Sequence, residues 1–369
     1  MRLRPIPTKE LRPNKMAISN NIGQNGMGQF NTLAVSGTAK PLETAIILNG
    51  KGSDLSNTKQ LKGKAKRKII SRSLTLSLID IAKEKGNDTM IKSLWRTYYC
   101  QEVLITNQGK VHGKYCKNRI CTLCNANRKA DIINRYLPTI EKWPDPQFLT
   151  LTTKSVDKKN LKRNINGMVR SFQLIKERQK KRYQRGTGIK LIGIKSLECN
   201  FNPRAKTYNP HFHLVLPDKA TSDLLKKEWL KTWTPKWANK KGQFNRPIRQ
   251  EKVKDLIETV KYGSKIFTDP DLKKTGHSTS SHKVYAAALY NILTAMDGHR
   301  LYERFGFNLP KQNKKTKSKL VISSDTEKWY FDPKSFDWVN SKTAEVLTDY
   351  NLPNELSFIL ENNIDLKLE

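Results

Sequence analysis

Two histidines placed two residues apart, His211 and His213, carry the first recognisable chemistry of this sequence, in the run NPHFHLVLP. Phe212, Leu214 and Leu216 are apolar and alternate with them, as in a strand with one buried face. Because side chains two apart on a strand point to the same face, we expect the imidazoles to stand side by side as half of a metal site. The alternative is a pair of surface or core histidines that bind no ligand.

A carboxylate is expected to join this histidine pair. Glu198 ends the apolar run GIKLIGIKSLE, upstream of His211, and that run predicts a neighbouring strand. Two imidazoles and one carboxylate suit a divalent cation that keeps coordination positions open for a substrate oxygen. The sequence therefore predicts a metal site formed by Glu198, His211 and His213.

A second set of reactive groups lies in KVKDLIETVKYGSKIF, where Glu258, Tyr262 and Lys265 follow one another at spacings of four and three. On a helix, these spacings place a carboxylate, a phenol and an ammonium on one face. Tyr262 would attack a phosphodiester and form a covalent phosphotyrosine. Lys265 would hold the phosphate or favour the phenolate, and Glu258 would activate a water or a second hydroxyl. The alternative is an exposed Glu and Lys beside a surface tyrosine.

Four cysteines form a third cluster: Cys100, Cys116, Cys121 and Cys124. Zinc prefers four thiolate or imidazole ligands in a tetrahedron, and a Cys-x2-Cys knuckle supplies two of them from one tight turn. We expect a structural zinc, with His112 as a possible replacement for one thiolate. Four free buried cysteines are the alternative.

Charge and composition point to the partner and the compartment. The 369 residues include 69 Lys and Arg against 33 Asp and Glu, a formal net charge of +36, which predicts a polyanionic partner. Charge alone also fits a ribosomal or membrane-surface protein. The sequence has no apolar run of transmembrane length and its N-terminus lacks the apolar segment of a signal peptide, so we expect a cytoplasmic protein whose cysteines bind metal rather than form disulfides.

The elements that would position these residues indicate an α+β fold with a mainly antiparallel sheet. The run FLTLTT alternates as a half-buried strand does. A long amphipathic helix follows it, and WYFDPKSFDW suggests a short hairpin. A helix is expected over 130–143. Trp229, Trp233 and Trp237 are expected in the core, with base stacking as the alternative. The apolar face of the long helix comprises Leu161, Ile165, Met168, Phe172 and Ile175.

Three motifs, FLTLTT, PHFHLVLP and ETVKYGSK, in this order, resemble those of single-tyrosine rolling-circle plasmid replication initiators, members of the HUH endonuclease superfamily. The upstream CKNRICTLCNANR resembles the cysteine-rich segment that precedes the catalytic domain in that family. Downstream, GHRLYERFG resembles its Gly-x-Arg stretch. The resemblance covers Cys100 to about Gly306.

The resemblance implies a ferredoxin-like HUH core and a Mg²⁺ or Mn²⁺ ion at His211 and His213, with Glu198 at the upstream acidic position. It implies nicking of one strand of plasmid origin DNA, with Tyr262 joined to the 5′ phosphate while the freed 3′ hydroxyl primes replication. Glu258 would direct water at termination. The partners would be origin DNA, single-stranded or in a hairpin, and a host helicase and polymerase, with no membrane.

The expected organisation has four regions. They are a flexible basic N-terminal region over 1–70, a helical Cys-rich zinc segment over 71–143, an HUH endonuclease domain over 144–310, and a linker with an acidic tail over 311–369. The basic run from Lys62 to Lys68 is expected to be a solvated strip or a phosphate contact.

Two other functions remain open at this point. A related HUH transposase would use the same active site on transposon ends, because only the DNA that is recognised differs. A zinc-containing nucleic-acid-binding protein without catalysis would explain the charge and the cysteines. It would leave the histidine pair and the Glu258, Tyr262 and Lys265 face without a role.

Overall fold

The computed structural model describes residues 52–233, 248–252, 279–310 and 326–353, with the backbone alone for 248–252 and 279–283. The described residues belong to one compact unit, Thr44–Glu369. The described helices are α1 (Thr58–Glu84), α2 (Asp88–Tyr98), α3 (Thr122–Ile140), α4 (Lys158–Gln184), α5 (Lys219–Thr232) and α6 (Thr279–Ala295). The described strands are β1 (Ser53–Asp54), β2 (Val103–Asn107), β3 (Lys110–Gly113), β4 (Gln147–Thr152), β5 (Gly193–Asn202), β6 (Thr207–Leu216), β7 (Ile248–Lys252), β8 (Tyr302–Phe305), β9 (Glu327–Asp332) and β10 (Asp337–Asn340).

The described strands form two antiparallel sheets, so the α+β class with antiparallel pairing is confirmed. Sheet A has the order β1-β3-β2-β9-β10, and sheet B has the order β7-β4-β6-β5-β8. Among the described residues, none of the helices is long and apolar enough to cross a membrane.

Sheet A joins two distant parts of the chain. The hairpin β9–β10 confirms the one predicted from WYFDPKSFDW, and its first strand pairs with β2, where Val103 is the partner of Tyr330. Trp338 is fully buried in the cluster that also contains Leu61 and Leu104. Residues 327–340 therefore pack with the cysteine segment, although the sequence assigned them to a separate tail.

Helix α1 corrects the predicted boundary at residue 70. It begins after Asn57, whose side chain accepts a hydrogen bond from the backbone N–H of Gln60, and it continues across that boundary to Glu84. The basic run lies inside this helix, and both Lys64 and Lys68 are buried rather than solvated.

The burial of Lys68 has a clear electrostatic compensation. Its ammonium donates to the backbone carbonyls of Tyr98 and Cys100, both at 3.0 Å, and to the Glu102 carboxylate at 2.6 Å. A buried charge that is paired and hydrogen-bonded on each side avoids most of the penalty of leaving water. Lys68 thereby links α1 to residues 98–102, the segment that contains the first cysteine.

Sheet B confirms the predicted strand and helix around FLTLTT. Leu149 and Leu151 of β4 are fully buried, whereas Thr150 and Thr152 alternate with them toward the other face. The five apolar residues predicted for the α4 face all lie in the buried cluster under this sheet. Trp229 also belongs to it and donates from Nε1 to the Thr152 carbonyl at 3.0 Å, so its core assignment is confirmed. Trp237 lies outside the described residues.

The two faces of β6 have different surroundings. Phe212, Leu214 and Leu216 pack into the cluster with α4 and α5. On the histidine face, Val215 packs with Ile194 against α3. Helix α3 begins at Thr122, not at the predicted residue 130, because Cys121 caps it by accepting from the Cys124 N–H, and it ends at Ile140. The helix that starts at the cysteines thus covers the part of the histidine face beyond His213.

Candidate metal centres and active site

Pairing of β6 with β5 brings Glu198, His211 and His213 together as predicted. Glu198 is the partner of His211 in the ladder, and Ser196 is the partner of His213. The Nε2 atoms of the two histidines are 3.1 Å apart. The Glu198 Oε2 lies 3.7 Å from Nε2 of His213 and 4.0 Å from Nε2 of His211.

These three separations fit a small divalent cation. A triangle with sides of 3.1, 3.7 and 4.0 Å has a circumscribed radius of about 2.1 Å, and metal–ligand distances of about 2.0–2.2 Å are usual for small divalent ions. One point in the plane of the three atoms is thus at bonding distance from all of them. Two imidazoles and one carboxylate leave positions open for other oxygen ligands.

The ring orientation of His211 is set by a backbone contact. Its Nδ1 lies 3.0 Å from the carbonyl oxygen of Asn209. Since a carbonyl only accepts, Nδ1 carries the hydrogen, and Nε2 keeps its lone pair for a cation. Burial lowers the pKa of His211, against a smaller opposite effect of the Asn209 hydrogen bond, and this favours the neutral imidazole that binds metals.

The His213 ring is held by the neighbouring strand. Its Nδ1 lies 3.0 Å from the Thr150 hydroxyl, and Thr150 is its partner in the β4–β6 ladder. The ring of Phe148 stacks on it with centroids 5.0 Å apart. Sequence reasoning did not identify Thr150 as a site residue, although the alternation in FLTLTT already placed it on the exposed face of β4.

The four predicted cysteines also converge. Their sulfur atoms all lie within 4.8 Å of one another. The distances are 3.7 Å for Cys100 to Cys124 and 3.6 Å for Cys116 to Cys124. A tetrahedron with zinc–sulfur bonds of about 2.3 Å requires sulfur–sulfur distances of about 3.8 Å, and a disulfide requires about 2.05 Å. The geometry therefore fits a tetrahedral metal site.

Backbone N–H groups point at these sulfurs. Those of Cys116 and Lys117 donate to the sulfurs of Cys100 and Cys124 at 3.3 and 3.2 Å. Such donors stabilise the thiolate form that a metal needs. His112, the alternative ligand, is not in this group and lies on β3 opposite Ile105.

The predicted nucleophile segment is not part of the described structure. Glu258, Tyr262 and Lys265 lie outside the described residues, and so does the helix predicted after Lys252. Lys252 itself is the last residue of β7, at the edge of sheet B beside β4. The roles of the three residues stay predictions.

Comparison with known proteins identifies the family. Residues 109–328, more than half of the chain, match the family described as "Replication protein". The chain belongs to this family of replication proteins. The matched span of this replication protein contains Glu198 and both histidines, together with the three motifs recognised in the sequence. The recognition of a replication initiator is thereby confirmed.

Individual relatives agree with this assignment. The replication protein is 26% identical over 193 residues to a "Protein rep" of Streptococcus pneumoniae serotype 2, covering 47% of this chain and 58% of that relative. It is 31% identical over 165 residues to a "Protein rep" of Staphylococcus aureus, covering 41% of this chain and 69% of the relative. A "Protein rep" of Bacillus amyloliquefaciens is 30% identical over 133 residues, which cover 33% of this chain and 36% of that relative. No solved structure gives a significant match.

Proposed function

We propose that this replication protein initiates rolling-circle replication of a plasmid by nicking one strand of the origin DNA. The observation that supports this most strongly is the triangle formed by Glu198, His211 and His213 inside the span that matches the replication-protein family. The net charge of +36 suits a DNA partner. A cation bound at the triangle, Mg²⁺ or Mn²⁺, would polarise the oxygens of the scissile phosphate.

The proposed reaction is a transesterification that exchanges the bond between phosphorus and the DNA 3′ oxygen for a bond between phosphorus and Tyr262. The Tyr262 phenol gives up its proton and its oxygen attacks the phosphorus. The new bond joins Tyr262 to the 5′ phosphate, and the bond from phosphorus to the 3′ oxygen breaks. That oxygen takes up a proton and becomes the 3′ hydroxyl from which a host polymerase extends after a host helicase opens the duplex. Lys265 holds the phosphate, and Glu258 directs water at termination.

The chain length after β7 is compatible with this role for Tyr262. In the ladder, Arg249 of β7 is the partner of Thr150, and Thr150 is the partner of His213. Two strand spacings are about 10 Å. Ten positions separate Lys252 from Tyr262, and they span about 15 Å as a helix. Lys252 lies three residues beyond Arg249 along β7, so the segment would start about 14 Å from His213, a distance that ten helical residues could span.

We further propose that the four cysteines hold a structural zinc. Zinc there would tie the end of α2 and the segment after β3 to the start of α3, which packs on the histidine face through Ile132, Tyr136 and Ile140. Membership in a replication-protein family favours the initiator over the transposase. A binding protein without catalysis would leave the metal triangle unexplained.

A nicking assay tests the proposal. A labelled oligonucleotide that carries the plasmid origin is incubated with the full chain and Mn²⁺ or Mg²⁺. We expect a single cut, its loss on chelation, and its loss in His213→Ala. His112→Ala is the matched control, because it removes an imidazole on sheet A, outside both metal groups, and it should cut normally. Equal cutting by His213→Ala and wild type would contradict the proposal.

A further inference from the structure

The two histidines have different hydrogen-bond partners at Nδ1, a backbone carbonyl for His211 and a hydroxyl for His213. Asn209 offers His211 a carbonyl, which can only accept, so neutral His211 carries its hydrogen on Nδ1 and presents a lone pair at Nε2. This lone pair lies 3.1 Å from Nε2 of His213. Without a cation between them, two facing lone pairs would repel. The neutral His213 then has to carry its hydrogen on Nε2 and donate it to His211.

A cation in the triangle reverses this requirement. Both Nε2 atoms then need lone pairs, so the His213 hydrogen has to be on Nδ1, where it faces the Thr150 hydroxyl at 3.0 Å. A backbone carbonyl or a carboxylate at this position would fit only the second state. A hydroxyl fits both, because it donates in the first state and accepts in the second.

We propose that Thr150 is a positioning residue that lets His213 exchange tautomers when the cation enters, by changing from hydrogen-bond donor to acceptor. This inference rests on the proposed metal site. The position of Thr150 is well fixed: it is the ladder partner of His213, and its strand is anchored on the opposite side by the fully buried Leu149 and Leu151. The strand register therefore keeps the Thr150 side chain on the face of the sheet that carries His213.

His211 needs no hydroxyl partner, because its Nδ1 faces the Asn209 backbone carbonyl. Strand β4 also supports Asn209. The Thr152 hydroxyl hydrogen-bonds to the Asn209 side-chain oxygen at 2.5 Å and lies 3.1 Å from the Pro210 carbonyl. Thr150 and Thr152 are exposed to the same face of β4, and each supports one histidine of the β6 pair. The FLTLTT motif thus orients the ligands of the neighbouring strand.

The first test measures Mn²⁺ affinity of the zinc-loaded full chain by calorimetry. Thr150→Val keeps the shape and removes the hydroxyl, so we expect the Kd to rise about 10–100-fold, the usual effect of losing such an outer partner of a metal ligand. Thr150→Ser restores the hydroxyl and should restore the affinity. Thr153→Val is the matched control, since its hydroxyl bonds to Asn164 of α4, and its affinity should stay at the wild-type value.

The second test follows the hydrogen itself. In ¹⁵N-histidine NMR spectra, we expect His213 to carry its hydrogen on Nε2 without a divalent cation and on Nδ1 with Mg²⁺. A His213 tautomer that does not change, or a Thr150→Val variant that binds Mn²⁺ as tightly as wild type, would overturn the role of Thr150 and leave the proposed nicking function standing. Failure of the wild type to bind either cation would overturn both.

Discussion

Lys68→Met probes the contact that links α1 to the cysteine segment. The ammonium of Lys68 is fully buried and donates to the carbonyls of Tyr98 and Cys100 and to Glu102. Methionine fills a similar volume but donates nothing. Glu102 keeps a partner, since Arg72 bonds to both of its oxygens at 3.0 and 3.2 Å.

The loss of stability in Lys68→Met follows from the hydrogen-bond acceptors that lose their donor. Two carbonyls lose their bond to Lys68 in the protein interior, at about 1–3 kcal/mol each. The Glu102 side chain is 29% exposed and stays paired, so its share is small. Methionine also removes the desolvation cost of the buried ammonium, the main cause of the lowered Lys68 pKa, and this offsets part of the loss. We expect the free energy of unfolding to fall by about 1–4 kcal/mol. Because one of the two carbonyls belongs to Cys100, zinc should also dissociate faster.

Urea unfolding followed by circular dichroism gives the stability, and a chromogenic chelator gives the rate of zinc release. Lys62→Met is the matched control, since it removes an exposed lysine from the same helix and should change stability by no more than about 0.5 kcal/mol. A Lys68→Met variant as stable as Lys62→Met, with an unchanged zinc release rate, would refute the role assigned to Lys68.

Three further outcomes are expected. Cys124→Ser should lose the metal from the cysteine site, as measured by the zinc content of the purified chain, and full zinc content would contradict a four-cysteine site. Burial alone would raise the pKa of Glu303, but Lys195 and a second lysine outweigh this and hold it below its ordinary value of 4.5. Wild type should therefore be more stable than Glu303→Gln above pH 4.5, and this difference should shrink as the pH falls through the folded-state pKa of Glu303. Urea titrations measure the difference in the free energy of unfolding, and a difference that stays constant into strong acid would argue against this pairing. Glu258→Ala should still attach to DNA through Tyr262 but release it slowly in a time course, and normal release would remove Glu258 from the termination role.

Local sequence patterns predicted the parts of the fold that depend on neighbours in the chain. The alternation in FLTLTT gave the buried face of β4, and helical spacing gave the buried face of α4. The histidine pair needed only the two-residue period of a strand. These patterns follow from the geometry of one strand or helix, so they can be recognised in a single sequence without an alignment.

Contacts between distant segments could not be predicted in this way. The burial of Lys68 depends on hydrogen-bond acceptors at residues 98–102, which lie 30 to 34 positions away along the chain. The pairing of β9 with β2 joins residues more than 200 positions apart. The partnership of Thr150 and His213 requires the strand register, which composition does not reveal. Tyr262 lies outside the described residues, so its role as the nucleophile stays a prediction.

We propose that the triangle of Glu198, His211 and His213 and the Tyr262 phenol act together on one phosphodiester. Mass spectrometry of peptides, after incubation of the full chain with an origin oligonucleotide and Mn²⁺, tests this joint action. We expect a nucleotide joined through its 5′ phosphate to the peptide that contains Tyr262, and no such adduct when Glu198 and both histidines are replaced by alanine. Attachment at another residue, or an equal yield in the variant without the triangle, would contradict it.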